Sequence, residues 1–164
     1  MTIGTVILAL VTFQRLGELW LSNRNSKRLL ARGAREVAPG HYPLIVEVHV
    51  TWLATLWWFA PGRPVDAFWL AVFILLQLAR VWVIATLGER WTTRIIILPG
   101  APLVRSGPYR FVNHPNYLVV IGEIAALPLA FGLWAIAAVW TTLNALVLTV
   151  RIREENRALG RLRP

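Results

Sequence analysis

Residues 107–117, Gly107-Pro108-Tyr109-Arg110-Phe111-Val112-Asn113-His114-Pro115-Asn116-Tyr117, form a polar, aromatic-flanked turn between two apolar segments. The turn combines prolines, a glycine, an arginine, a histidine and tyrosines. Water-facing connectors seldom need that mixture; a site that must hold a polar ligand against a bilayer does. A second constellation is Arg151-Ile152-Arg153-Glu154-Glu155-Asn156-Arg157-Ala158-Leu159, where the last apolar segment ends. Arg151 and Glu155 are four apart and share a helix face, as do Arg153 and Arg157. Judged by charge alone, this second group reads equally as a solvated helix end among headgroups. The elements that carry the two groups decide between these readings.

Composition sets the class of those elements. Of 164 residues 57% are hydrophobic, only 15% are charged, and nine are Trp. A soluble domain would carry about a quarter charged residues. The chain has no Cys, which removes disulfides, thiolate metal sites and a cysteine nucleophile from consideration. Internal repeats and low-complexity tracts are not evident. The expectation is a single membrane-embedded domain, 1–164, with an N-terminal part over 1–87 and the site-bearing part over 88–164.

Apolar runs cover 2–21, 42–59, 67–87 and one long stretch, 117–150. As one helix that last stretch would be about 50 Å long, well beyond a hydrocarbon core of roughly 30 Å. Two crossings joined by a tight bend fit better, with Pro128 or Gly132 as the place to turn. Backbone amides at that depth must bond internally, so the segments are helices. The fold class is therefore all-α and integral to the membrane: about five transmembrane helices, the last two a tight hairpin.

Charge orients the bundle. Arg24, Lys27, Arg28, Arg32 and Arg35 lie in the connector 22–40, and Arg90, Arg94, Arg105 and Arg110 in the connector 88–116. The tail adds Arg151, Arg153, Arg157, Arg161 and Arg163, whereas the opposite side offers only Arg63. The positive-inside rule puts both long connectors and the C-terminus in the cytoplasm and the N-terminus outside, as in a bacterial inner membrane. The net charge of +9 is this asymmetry plus attraction to the anionic lipid bilayer. Nucleic acid is not an expected partner, because no basic soluble module exists to carry it. No cationic residue precedes the first apolar run, so it does not read as a cleaved signal peptide.

Arg15, Glu18, Glu47, His49, Arg80 and Glu123 fall inside or at the ends of these helices, where charge costs roughly 2.5 kcal/mol or more at a central position. Arg15 and Glu18, with Gln14 one turn before Glu18, pair along one face as a salt bridge or a pocket wall. Glu123 stands about two turns from the His114 corner and either lines a cavity or bonds a neighbouring helix. His49 reads as a packed histidine or a ligand contact. No His and carboxylate positions repeat at a metal-ligand spacing, so no metal is expected. The end of the fifth helix and the His114 corner share a membrane face, and in a tight hairpin they are neighbours. Two polar clusters distant in sequence converge on one spot.

Gly107-Pro108-Tyr109-Arg110, then His114-Pro115-Asn116-Tyr117, then Arg151-Ile152 with Glu155 and Leu159, resemble the isoprenylcysteine carboxyl methyltransferase family. His41-Tyr42-Pro43 with His49, and Trp91-Thr92-Thr93-Arg94, are more narrowly similar to its bacterial branch, whose members include methyltransferases of alkylpyrones and alkylresorcinols made by type III polyketide synthases. The resemblance implies an S-adenosylmethionine-dependent methyltransferase within the membrane, releasing S-adenosylhomocysteine and using no Rossmann domain. No Gly-rich loop follows a strand in this chain. It further implies that Leu103, Val104, Gly107, Tyr109, His114, Pro115, Tyr117 and Glu155 bind the cofactor, that Arg151 and Glu155 are catalytic, and that His49, Arg80 and Glu123 contact the acceptor. Two positions depart from the family pattern: Asn113 stands where the family has arginine before His-Pro, and Asn156 where it has a second glutamate. Both changes remove a charge beside the expected site.

Methyl transfer accounts for these residue types. Tyr109, His114 and Tyr117 offer rings and polar tips for an adenine, a ribose and an amino-acid end. The acceptor oxygen must meet the methyl carbon in line with sulfur, so positioning supplies most of the acceleration. For a carboxylate acceptor Arg151 serves as a bidentate clamp; for a phenol or hydroxypyrone, Glu155 or His114 takes the proton. The expected acceptor is thus a lipophilic small molecule or prenylated substrate. Two other readings stay open: a relative of the sterol-type membrane reductases, which bind NADPH, and a non-enzymatic scaffold or transport subunit. The acceptor and the oligomeric state are not legible in the residues.

Overall fold

The computed structural model describes residues 2–160; Arg161, Arg163 and Pro164, part of the basic tail, lie outside them. Five helices dominate: α1 Ile3–Ala31, α2 Tyr42–Phe59, α3 Ala67–Leu87, α4 Pro115–Ala130 and α5 Trp134–Gly160. Three spans, Ile3–Ala31, Ala67–Arg90 and Trp134–Arg157, are long and apolar enough to cross a membrane. The shorter α2 and α4 would reach about 27 and 24 Å at 1.5 Å per residue. Large apolar side chains including Phe13, Trp58, Phe68, Leu75 and Leu146 point outward, as a surface facing lipid requires. The chain is an all-α membrane protein.

Successive helices run in alternating directions. Gly4 packs against the Phe131 ring and the Ala60 carbonyl, and the Asp66 amide donates to the Ala130 carbonyl at 2.8 Å. These contacts gather one end of the bundle. At the other end Asn25 of α1 donates through Nδ2 to the carbonyls of Gly88 (3.1 Å) and Trp91 (2.9 Å), beyond the end of α3.

The bounds of α2 and α3 follow from their flanks. The Asp66 side chain caps α3 by accepting from the Trp69 amide at 3.1 Å, and Gly88 ends it with a positive φ of 53°. α1 differs from expectation: it does not stop at residue 21 but continues to Ala31. Nothing between Ser22 and Ala31 breaks a helix, and Gly33, at φ 87°, follows as the stop. One polar face of this extension is buried, while Asn23, Arg24, Lys27 and Arg28 stay exposed on the other. Ser22, Asn25 and Ser26 are buried, and the Thr93 amide donates to Ser22 Oγ at 2.8 Å. The extension is a post on which the connector after α3 hangs.

That connector joins the one after α1 in a feature not anticipated, a two-stranded antiparallel ribbon of β1 (Arg35–Glu36) and β2 (Ile96–Ile97), pairing Arg35 with Ile97 and Glu36 with Ile96. The hairpin between α4 and α5 turns at Gly132, φ 66°, while Pro128 remains inside α4, where its carbonyl accepts from the Phe131 and Leu133 amides. α4 is the central helix. Gly122 lets it approach α3 so closely that an added Cβ would lie 2.9 Å from Leu76, and Ile124, Leu127 and Phe131 bury against Leu8, Trp52 and Leu56.

Candidate functional site

At the end of the bundle bearing the long connectors, a cavity of about 880 Å³ lies between the start of α4, the end of α5 and the connector 88–114. Its volume falls in the roughly 300–1,000 Å³ range of small-molecule sites. One wall is apolar, from Ile95 to Leu98 with Leu103 and Val104; the other is polar, with Tyr109, Asn113, His114, Asn116, Tyr117, Arg151, Glu155 and Asn156.

Local structure sets these side chains. Pro108 enters the short 3-10 turn Gly107–Arg110, and Gly107 adopts φ 55° with no room for a side chain: an added Cβ would sit 2.5 Å from Thr86 Oγ1 of α3. This close approach seats Tyr109 at the cavity. The Tyr109 hydroxyl is pushed up to about 12, first by burial and then by the nearby Glu155 carboxylate, so it stays protonated. His114 caps α4 in a non-helical conformation, φ −132° and ψ 61°, and Pro115 fills the first helical position, where a missing N–H costs nothing.

Five side chains then interlock across the α4–α5 hairpin. His114 and Tyr117, one turn apart, stack with ring centroids 5.3 Å apart. His114 donates from Nε2 to Asn156 Oδ1 at 3.1 Å, and its Nδ1 lies 3.9 Å from Glu155 Oε1. The Tyr117 hydroxyl donates to Glu155 Oε2 and accepts from Arg151 Nε at 2.8 Å. The Arg151 guanidinium lies over the Tyr117 ring, 5.5 Å from its centroid, and the residue is only 6% exposed. Nε is its one hydrogen-bonding atom among the described residues. The Asn116 side chain also faces this space, with Oδ1 buried and unpartnered.

Of the residues expected to bind or react, Leu103, Val104, Tyr109, His114, Tyr117, Arg151 and Glu155 line the cavity. Gly107 and Pro115 stand behind it and shape the turn. The side chain of Leu159, quoted for the motif, lies outside what the structure describes. His49, Arg80 and Glu123, expected to contact the acceptor, are not brought to this cavity. His49 donates from Nδ1 to the Ile45 carbonyl of its own helix at 2.8 Å. Arg80 and Glu123 pair with each other, and Arg15 and Glu18 close around them.

Sequence reasoning left Asn116 without a role, although it sits in the corner motif beside Tyr117. It also missed the Ile95–Leu98 part of the connector wall, for which the β-branched run Ile95-Ile96-Ile97 was the available signal. Above that wall Arg94 is pinned by Glu36 at 3.0 Å and covers the Tyr42 ring. The Glu36 hydrogen bond raises the Arg94 guanidinium above its ordinary value. Arg90 donates to the Pro102 carbonyl at 2.5 Å.

Two bacterial proteins of undetermined function match this chain nearly end to end. The uncharacterized protein YpbQ of Bacillus subtilis (strain 168) is 34% identical over 159 residues, covering 94% of this chain and 95% of its own. An uncharacterized protein of Haemophilus influenzae (strain ATCC 51907 / DSM 11121 / KW20 / Rd) is 30% identical over 165 residues, covering 97% and 96%. The isoprenylcysteine carboxyl methyltransferase family matches residues 69–161, which include α4, α5 and every residue lining the cavity except Leu29. The shared region is more than half of the chain, and the chain belongs to the isoprenylcysteine carboxyl methyltransferase family.

Proposed function

We propose that this protein is an integral membrane O-methyltransferase that uses S-adenosylmethionine to methylate a lipophilic acceptor. The observation that carries this reading is the meeting of His114 and Tyr117 with Arg151 and Glu155 at one cavity, on the basic end of a membrane bundle. Family membership supplies the reaction class.

The residues present fit the cofactor. S-adenosylmethionine supplies an electrophilic methyl group on a sulfonium. The apolar wall at Ile95, Leu103 and Val104 and the Tyr109 ring would take the adenine. His114, Glu155 and the unpartnered Asn116 Oδ1 would bind the polar groups of the ribose and the amino-acid end. The acceptor is an isoprenylcysteine-type carboxylate or the hydroxyl of an alkylresorcinol or alkylpyrone. Arg151, buried and with its two terminal nitrogens unpartnered among the described residues, would hold an acceptor oxyanion by charge-assisted hydrogen bonds. For a hydroxyl acceptor, Glu155 or His114 would take the proton. The lipid tail enters from the bilayer and the cofactor from the cytoplasm, with the N-terminus outside and the C-terminus inside the bacterial inner membrane. The excess of Arg and Lys on the cavity end supports that orientation.

Calorimetry on the purified protein in detergent tests this directly. S-adenosylhomocysteine should bind, His114→Ala should weaken it without unfolding the bundle, and NADPH should not bind. Binding of NADPH instead would place the protein with the reductases. Lipid extracts compared by mass spectrometry with and without the gene would then reveal the methylated product.

A further inference from the structure

Arg151 and Glu155 are spaced i, i+4 on α5, an arrangement that ordinarily closes into a direct ion pair. They do not form one here. The Tyr117 hydroxyl, reaching across from α4, stands between them, accepting from Arg151 Nε at 2.8 Å and donating to Glu155. We propose that Tyr117 is a positioning residue, whose hydroxyl keeps Arg151 and Glu155 from neutralising each other, so that a free cation and a free carboxylate both face the cavity.

Three observations bear on this. Tyr117 is itself held rigidly: it is 8% exposed, its amide donates to the His114 carbonyl at 3.2 Å, and its ring stacks on His114. The Arg151 guanidinium lies on that same ring, so one aromatic plane and one hydroxyl fix the orientation of the cation. With Nε committed to Tyr117, the two terminal nitrogens remain unpartnered among the described residues and border the cavity. Such a charge is costly at so buried a position unless something enters to meet it. Glu155, for its part, keeps Oε1 turned toward His114. A direct Arg151–Glu155 bridge would occupy the donors an acceptor oxyanion needs and the carboxylate a proton transfer needs. The separation therefore serves the methyl transfer proposed above, and the inference about its purpose rests on that reading; the geometry itself can be tested without it.

The test is arginine labelling with phenylglyoxal on the full-length protein in detergent micelles, with the adduct on Arg151 quantified by mass spectrometry. It requires neither cofactor nor acceptor, so it can succeed or fail independently of the methyltransferase assignment. Arg151 should be modified in the wild type. Tyr117→Phe keeps the ring, the stack and the cation–π contact, and removes only the hydroxyl; labelling should fall several-fold as Glu155 closes onto Arg151. Adding Glu155→Gln to that variant should restore labelling, because no carboxylate remains to close. Glu155→Gln in the presence of Tyr117 should leave labelling at the wild-type level, a comparison that stands even where Tyr117→Phe fails to fold. Wild-type labelling in a folded Tyr117→Phe protein overturns the proposal. So does an unreactive Arg151 in the wild type, or a rise in labelling on Glu155→Gln alone.

Discussion

Arg80 of α3 and Glu123 of α4 face each other as a two-pronged pair, with Nε donating to Oε1 at 2.8 Å and Nη2 donating to Oε2. Their side chains are 4% and 1% exposed. Arg15 of α1 reaches the same carboxylate at 2.9 Å, and Glu18 bridges back to both arginines. Gln14 donates to Glu18 at 3.0 Å. Two cations and two anions thus balance inside the bundle and tie α1, α3 and α4 together.

The balance makes Glu123 the sensitive member. Glu123→Gln leaves Arg15 and Arg80 with one carboxylate between them, and breaking a buried pair from one side costs about 3–5 kcal/mol. The expected outcome is a large drop in the thermal unfolding midpoint in detergent. Glu18→Gln should be milder, since its side chain is 12% exposed and reaches water more easily. Equal midpoints for wild type and Glu123→Gln would show that the cluster contributes nothing to holding the helices.

Gly107→Ala tests how the corner is seated. The substitution meets two obstacles at once, the left-handed φ of 55° and a Cβ 2.5 Å from Thr86 Oγ1. The conformational cost alone is roughly 1–2 kcal/mol. The 3-10 turn should move off α3 and carry Tyr109 from the cavity, so affinity for S-adenosylhomocysteine should fall about ten-fold for each 1.4 kcal/mol of binding energy lost. Thr86→Ala should recover part of the loss by relieving the contact, while the backbone strain remains. Full affinity in Gly107→Ala would mean that the turn is not what places Tyr109.

How far the residues themselves disclosed this arrangement depends on what each had to signal. α2 and α3 are bounded by Pro, Gly and Asp66, which interrupt apolar runs abruptly, and their limits were legible. The end of α1 was not. Ser22, Asn25 and Ser26 have the composition of a solvated connector, and only the partners of Ser22 and Asn25 at Thr93, Gly88 and Trp91 reveal a buried helical extension. The ribbon of β1 and β2 is too short to show an alternating pattern. The meeting of His114 with Glu155 and Asn156 was legible because both helix ends had to lie on one side of the bundle. The fate of His49, Arg80 and Glu123 was not, because membrane side says nothing of depth or of which face a helix turns to its neighbours.

Tyr109 carries a pH signature. Burial and the Glu155 carboxylate raise its hydroxyl to about 12, against an ordinary value of about 10. Because the folded value lies above the unfolded one, the stability it contributes is fully present below about pH 10 and is lost as pH rises toward about 12. In a spectrophotometric titration of the folded protein, the phenolate step that Tyr109→Phe deletes should therefore lie near the upper figure. Glu155→Gln should move that step downward only in part, since burial is the larger cause. A deleted step at the ordinary tyrosine value would show the hydroxyl to be in water rather than at the cavity wall.

Glu154 and Glu155 separate chemistry from structure at the end of α5. Successive residues are turned about 100° apart on a helix, and the two carboxylates have different partners. Glu154 pairs with Arg157 at 2.6 Å and is not part of the cavity lining. Glu155 bonds Tyr117, neighbours His114 and borders the cavity. Glu155→Gln should therefore lower methyl transfer by on the order of 10²–10⁴-fold, the usual loss for a general base, whereas Glu154→Gln should leave turnover within a small factor. The comparison is informative because both variants remove one negative charge from the same helical turn, so any general effect of charge on cofactor affinity or membrane seating is common to the two. Equal and mild losses would return the cluster to an ordinary charged helix end at the headgroups. A large loss confined to Glu154→Gln would assign the chemistry to the wrong face of α5 and remove the Tyr117–Glu155 contact from the site.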